Sequence, residues 1–210
     1  MDKLSRLIIL IFCLLSVTAI GQTKMNNVEA AAFKSKVEQQ SKKITSISAD
    51  FDATRYVSVL KNPVNSTGIF RLKGKKLLWR YHAPQQNAML FDQDKLLMKD
   101  DKGKKSTIDL NKNRRFRQLQ RLMTETNMGN VFDEANFNIA YFKESSTISA
   151  TLTPKNKDLA KFIKQVELTF KNNEHTISSI KIVEKSNDYT LYKLKNKKFN
   201  SNISDSEFKL

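Results

Sequence analysis

The chain has 210 residues, 40 % of them hydrophobic and 28 % charged, which suits one globular domain and excludes a disordered tract. Its formal charge is +16, from 37 basic and 21 acidic residues. Such a balance goes with an anionic lipid surface or an acidic partner, or with a plain lysine-rich solubilising surface.

Residues 1–21 read as a signal peptide. Lys3 and Arg6 make the basic start, Leu7 to Val17 is apolar, and Ala19 and Gly21 take the small positions before a cleavage that leaves Gln22 first. The apolar run is shorter than the roughly 20 residues of a membrane span; an uncleaved anchor is the other reading. Cleavage removes Cys13, the sole cysteine. An exported chain without cysteine has no disulfides, thiol chemistry or Cys-ligated metal, and must be held by a buried core. Residues 22–210 are then a single domain.

Val28–Lys43 reads as a helix, with Val28, Ala31, Ala32 and Val37 near helical spacing and Ile44 beyond. The period then changes to two. Ile47, Ala49, Phe51, Ala53, Val57 and Val59 take one face of a strand, and Ser48, Asp50, Asp52 and Thr54 the other. Asn62–Asn65 is a turn. Strand-like runs follow at Gly68–Lys73, Leu77–His82, Ala88–Phe91, Lys95–Lys99 and Ser106–Leu110. "NKNRRFRQLQRLM" breaks the alternation with helical spacing. From Phe137 the strands return as "FNIAYFK", "TISATLT", "KQVELTFK", "TISSIKIVEK" and "DYTLYKLKNKKF". The expected fold is mainly β: a half-open antiparallel barrel of about ten to eleven strands, with an N-terminal helix and a helical lid.

The order of these runs resembles the family of periplasmic carriers of outer-membrane lipoproteins, the LolA-like family. After a strand resembling "ITSISADF", Gly68, Phe70 and Leu72, then Trp79, Tyr81 and Pro84, stand where the family pattern places them. "MLFDQDKLLMKDD" resembles the next strand–turn–strand, "ATLTPKNKD" and "FIKQVELTFKNNEHTISSIKIVEK" the Leu-x-Pro segment and the two strands after it, and "NKKFNSNISDSEFKL" the closing strand. One departure stands out: where members carry Arg-Pro at the turn before the tryptophan strand, a turn the resemblance links to tying down the lid, this chain has "KGKK", with Lys73 the nearest basic residue.

The resemblance implies a non-enzymatic carrier that shields acyl chains. Alternation places Phe51, Phe70, Leu72, Trp79, Tyr81, Met89 and Phe91 on the inner wall as the candidate lipid-binding cavity, or as an ordinary packed core. On the lid, Phe116, Leu119, Leu122 and Met123 fall on one side of a helix and Arg114, Arg117 and Arg121 on the other, as a basic surface facing solvent or headgroups. Met98, Met123 and Met128 are thioethers suited to varied chains, or gap fillers.

Enzyme readings find little support. His82 and His175 lie far apart, and there is no His-x-x-x-His pair, Gly-x-Ser-x-Gly elbow or phosphate-cradling loop. Asp50 and Asp52 read as the solvent side of a strand, and "DDKGKK" as a charged turn rather than a calcium loop. No metal or cofactor is expected. Nucleic-acid binding by Arg114–Arg121 with Phe116, Trp79 and Tyr81 is set aside because the chain is exported. By resemblance, a monomer takes lipoproteins or other acylated lipids from an inner-membrane ABC-type release complex, crosses the periplasm and passes them to an outer-membrane acceptor. A specialised relative carrying another lipid or pigment precursor, or a lipid-sensing domain, is the alternative.

Overall fold

The computed structural model describes residues 22–113, 116–117, 120 and 131–210. In chain order they form β1 (Thr23–Lys24), α1 (Asn27–Ser41), β2 (Ser46–Tyr56), β3 (Val64–Lys73), β4 (Lys76–Ala83), β5 (Ala88–Asp92), β6 (Lys95–Lys99), β7 (Lys105–Asp109), β8 (Phe137–Lys143), β9 (Thr147–Pro154), α2 (Lys157–Ala160), β10 (Ile163–Lys171), β11 (Ile177–Glu184) and β12 (Tyr189–Phe199), then a 3₁₀ turn at Asp205–Phe208.

All twelve strands join one antiparallel sheet in the order β1-β8-β9-β10-β11-β12-β2-β3-β4-β5-β6-β7. It is open, with β1 and β7 as its edges: a half-open barrel. Every pairing along the sheet links consecutive strands except two. These are β1 with β8, and β12 with β2, where Phe51 faces Leu194 and Ile47 faces Phe199. That second pairing joins an N-terminal meander (β2–β7) to a C-terminal one (β8–β12). Eleven of the strands are the runs expected from alternation. The twelfth, β1, has two residues, too few to carry a period.

Each meander has its own inner core. Phe33 and Val37 of α1 pack on Phe137, Tyr141, Leu152, Leu168 and Phe170 of the C-terminal meander. The Phe33 ring meets Phe170 edge-on with centroids 5.1 Å apart. Asn26 caps the helix: its side chain accepts from the Val28 and Glu29 N–H groups, and the Glu29 carboxylate accepts from the Asn26 N–H. The buried stripe is Phe33–Val37–Ser41. Val28, Ala31 and Ala32, placed on the apolar face by the sequence, are exposed instead. One phenylalanine offers far more apolar area than two alanines, so the helix rolls onto Phe33.

The N-terminal meander is buried on both sides near its middle. Leu77 and Trp79 of β4 point inward. Leu78, Ala88 and Leu90 are covered from outside by Ile203 and Phe208 of the C-terminal segment. Arg71 holds that cover, its Nε donating to Glu207 at 2.9 Å and its Nη1 to the Ala49 carbonyl at 2.9 Å. β2 also corrects the sequence reading. The strand stops at Tyr56, so Val57 and Val59 lie in the connection to β3 and not on the inner face. Val59 is 86 % exposed.

Candidate ligand-binding face

The inner face of the N-terminal meander is built around Phe51. Its ring has Trp79 at 5.0 Å, Tyr81 at 5.2 Å and Tyr192 at 5.7 Å between centroids. Trp79 in turn meets Phe70 at 5.3 Å and Tyr192 at 4.8 Å, both edge-on. Gly68 lies opposite Phe51 in the register. A Cβ there would come within 2.4 Å of Phe51 Cζ and 2.2 Å of the Arg80 carbonyl oxygen, so only glycine leaves room for the ring.

Of the seven expected cavity residues, Phe51, Phe70, Leu72, Trp79 and Phe91 are no more than 4 % exposed and share one apolar cluster; Tyr81 and Met89 pack on its border, partly buried. The wall is graded along the strands. Toward the β3–β4 and β5–β6 turns, Leu72, Leu77, Phe91 and Leu96 are wholly buried. Toward the opposite end, Tyr81, Met89 and Met98 are only half-covered. Met89 and Met98 face each other in the β5–β6 register. They border an open groove of about 530 Å³ that Ala88, Lys99, Lys104 and Ser106 also line. Where the two cores meet, between α1, β10 and β12, the space shrinks to about 20 Å³. That holds little more than one water molecule.

Two hydroxyls interrupt the apolar wall. Tyr81 and Tyr192 share a hydrogen bond of 2.7 Å between their oxygens. Burial raises the pKa of both, most strongly for Tyr192, so the pair is neutral at ordinary pH. Sequence reading missed Tyr192, Leu77 and Leu96. Alternation in "DYTLYKLKNKKF" carried the signal for Tyr192, which only the β12–β2 pairing brings beside Phe51.

The segment after β7 starts against this face. Phe116 packs on the Phe51 cluster. Arg117, expected on a basic outer surface, is partly buried and turned back: its Nε donates to the Leu110 carbonyl at 3.0 Å and its Nη2 to Asn111 at 2.8 Å. Gln120 reaches the Gln93 carbonyl at 2.9 Å. Arg114, Leu119, Arg121, Leu122 and Met123 lie outside the described residues. In the "KGKK" turn, Lys73 donates to the Ile203 carbonyl at 2.8 Å and pairs with Asp205 at 3.2 Å. It fastens the C-terminal segment on the outer face.

Among the described residues no group of three or more His, Cys, Asp or Glu side chains is placed to hold a metal ion, and no helix is long and apolar enough to cross a membrane. The family model described as outer membrane lipoprotein carrier protein LolA matches residues 42–210, most of the chain. The chain belongs to the LolA family. Its fold is thus that of a carrier family, in which a curved sheet presents an apolar face. Among solved structures, the LolA-family chain is similar to a LolA superfamily protein from Nitrosomonas europaea, at 9 % identity and a TM-score of 0.46 over 86 % of this chain and 97 % of that one. It is also similar to a chain of the Pseudomonas aeruginosa MucA/MucB complex, at 7 % identity and a TM-score of 0.46 over 86 % of this chain and 60 % of that one. A third is the Mycobacterium tuberculosis lipoprotein LppX, at 12 % identity and a TM-score of 0.42 over 84 % and 98 %. No curated protein matches the sequence.

Proposed function

We propose that this LolA-family chain is an exported, non-enzymatic carrier that shelters the acyl chains of a lipoprotein or another acylated lipid between the cell's two membranes. The observation that carries the reading is the graded inner wall: solid at one end, and at the other half-covered at Tyr81 and open along Met89 and Met98 into a groove of about 530 Å³. That size lies within the range of small-molecule sites, and paired thioethers adapt to chains of different shape. The demand on such a wall is large. Exposing a chain of about 14 methylenes to water costs on the order of 11 kcal/mol, at roughly 0.8 per methylene. A face already lined with aromatic and thioether side chains offsets that cost without catalysis. Phe51, Phe70, Leu72, Trp79 and Phe91 form its floor, with Tyr81 and Met89 at the opening. The expected cover carries Phe116, which packs on the Phe51 cluster, with Leu119, Leu122 and Met123, and Arg114 and Arg121 are its expected basic residues.

In the family's pathway the donor is an inner-membrane ABC-type release complex and the recipient an outer-membrane acceptor, and the periplasm is the compartment. A second reading, a specialised carrier of another lipid, rests on Lys73. Where the family pattern has Arg-Pro, the "KGKK" turn has no arginine, and its Lys73 engages Ile203 and Asp205 on the outer face. Native mass spectrometry of the chain isolated from the periplasm distinguishes them. A lipoprotein as bound mass supports the first reading, a free lipid or pigment precursor the second, and recovery of the bare chain alone overturns both.

A further inference from the structure

Six large hydrophobic side chains are exposed among the described residues, and five of them lie at one end of the sheet. Tyr56 (41 %), Val59 (86 %), Leu60 (49 %) and Val64 (41 %) flank or form the β2–β3 connection, and Phe162 (45 %) precedes β10. The sixth, Val28, is on α1. Register puts the connection at the same end as the groove: Arg55 faces Val64, Thr67 faces Ala83, Ala88 faces Lys99, and Met89 faces Met98 just inside.

The display is built. The Leu60 N–H donates to the Val57 carbonyl at 2.9 Å, closing the turn that lifts Val59 outward. The Ser58 N–H donates to the Asp188 carboxylate at 2.9 Å, which ties this connection to the β11–β12 turn. That turn is bonded in its own right to Phe162, whose carbonyl accepts from the Lys185 N–H at 2.9 Å. Three connections are thus one surface. Beneath it Tyr56 and Tyr189 stack with centroids 4.5 Å apart, and the Lys181 ammonium sits 4.8 Å from the Tyr189 ring. The nearby acids are engaged: Glu184 with Arg55, Asp188 with Ser58, and Asp158 with Lys161. Lys61 and Lys185 make no ion pair among the described residues.

We propose that this end is a membrane-docking surface for an anionic lipid bilayer. Val59 and Leu60 enter the headgroup–acyl boundary, the Tyr56–Tyr189 stack lies at headgroup level, and Lys61 and Lys185 meet anionic headgroups. Shallow apolar insertion ringed by tyrosine and lysine is the chemistry of an interfacial anchor, and the chain's +16 charge adds long-range attraction. A protein partner would meet these side chains with a matching pocket. The projecting tip and its exposed lysines fit a fluid anionic surface better. Docking here brings the groove against the bilayer, but the surface stands whether or not the groove carries cargo, and its test uses none.

The exported form is floated with vesicles of phosphatidylcholine containing about one third phosphatidylglycerol, and with pure phosphatidylcholine vesicles. Expected is binding to the anionic vesicles that falls at least about tenfold in the double variant Val59→Asp/Leu60→Asp, and by a smaller factor in Lys61→Glu. Val28→Asp, an equally exposed change elsewhere, leaves binding intact. Circular dichroism and thermal melts show each variant folded. Absence of wild-type binding overturns the proposal. So does a double variant that binds like wild type, since that would be diffuse charge attraction, and so does an equal loss in Val28→Asp.

Discussion

Gly68 and Phe51 show how one small residue sets the inner face. The Phe51 ring lies so close to Gly68 that a methyl group there must move both the ring and the Arg80 carbonyl of the neighbouring strand. Because Phe51 touches Trp79, Tyr81 and Tyr192, the disturbance cannot stay local. Gly68→Ala is therefore expected to lower stability by about 1–3 kcal/mol, the usual cost of overpacking a dense core. Urea denaturation checks the value. A second change, Phe51→Leu, opens the space and should recover part of the loss, whereas a glycine kept only for flexibility would gain nothing from it. In the sequence this glycine is one position of the family pattern; its steric reason appears only when β2 is laid against β3.

At the scale of elements, the β2–β3 connection depends on Asp188. The Ser58 backbone N–H holds this carboxyl below the ordinary aspartate range. A carboxylate whose pKa is lowered by folding stabilises the protein fully above its unfolded value, about 3.9, and the contribution is lost as pH falls through the lower folded value. Asp188→Ala should therefore melt below wild type at neutral pH, with the gap narrower at an acid pH below the ordinary aspartate value. Thermal melts of the pair at the two pH values test this; a gap that does not change with pH removes the carboxylate from the account. The elements themselves were largely legible in sequence. Alternation marked eleven strands in their order, because one buried face imposes a period of two. What escaped had no local signature. The face of α1 was misjudged because Ala31 and Ala32 outnumbered Phe33 in the pattern while offering less area to bury. Val57 and Val59 were drawn into β2 because a period of two does not reveal where pairing stops. The outer burial of Leu78 and Leu90 depends on Ile203 and Phe208, more than a hundred positions away. The Tyr81–Tyr192 hydroxyl pair likewise waits on the β12–β2 closure.

At the scale of the molecule, the sheet divides labour between its two meanders. The C-terminal one is filled by α1, whose Phe33 locks against Phe132, Tyr141 and Phe170. The N-terminal one has no such helix among the described residues, and its inner wall opens at Met89 and Met98. If carriage belongs to the N-terminal wall alone, stability and ligand uptake should separate under mutation. Phe170→Ala removes a fully buried ring and should cost about 3–5 kcal/mol. It should leave the affinity for a fluorescent fatty acid unchanged under conditions where the variant is folded. Met98→Glu puts a carboxylate on the groove border, where the native side chain is already half-exposed, so the melting temperature should barely move. Its charge must be desolvated to admit an acyl chain, which should weaken fatty-acid binding by about tenfold or more. Fluorescence titration and thermal melts of both variants decide the matter. A Met98→Glu chain that binds as well as wild type would move the ligand away from this groove, and weakened binding in folded Phe170→Ala would mean that the two cores act as one.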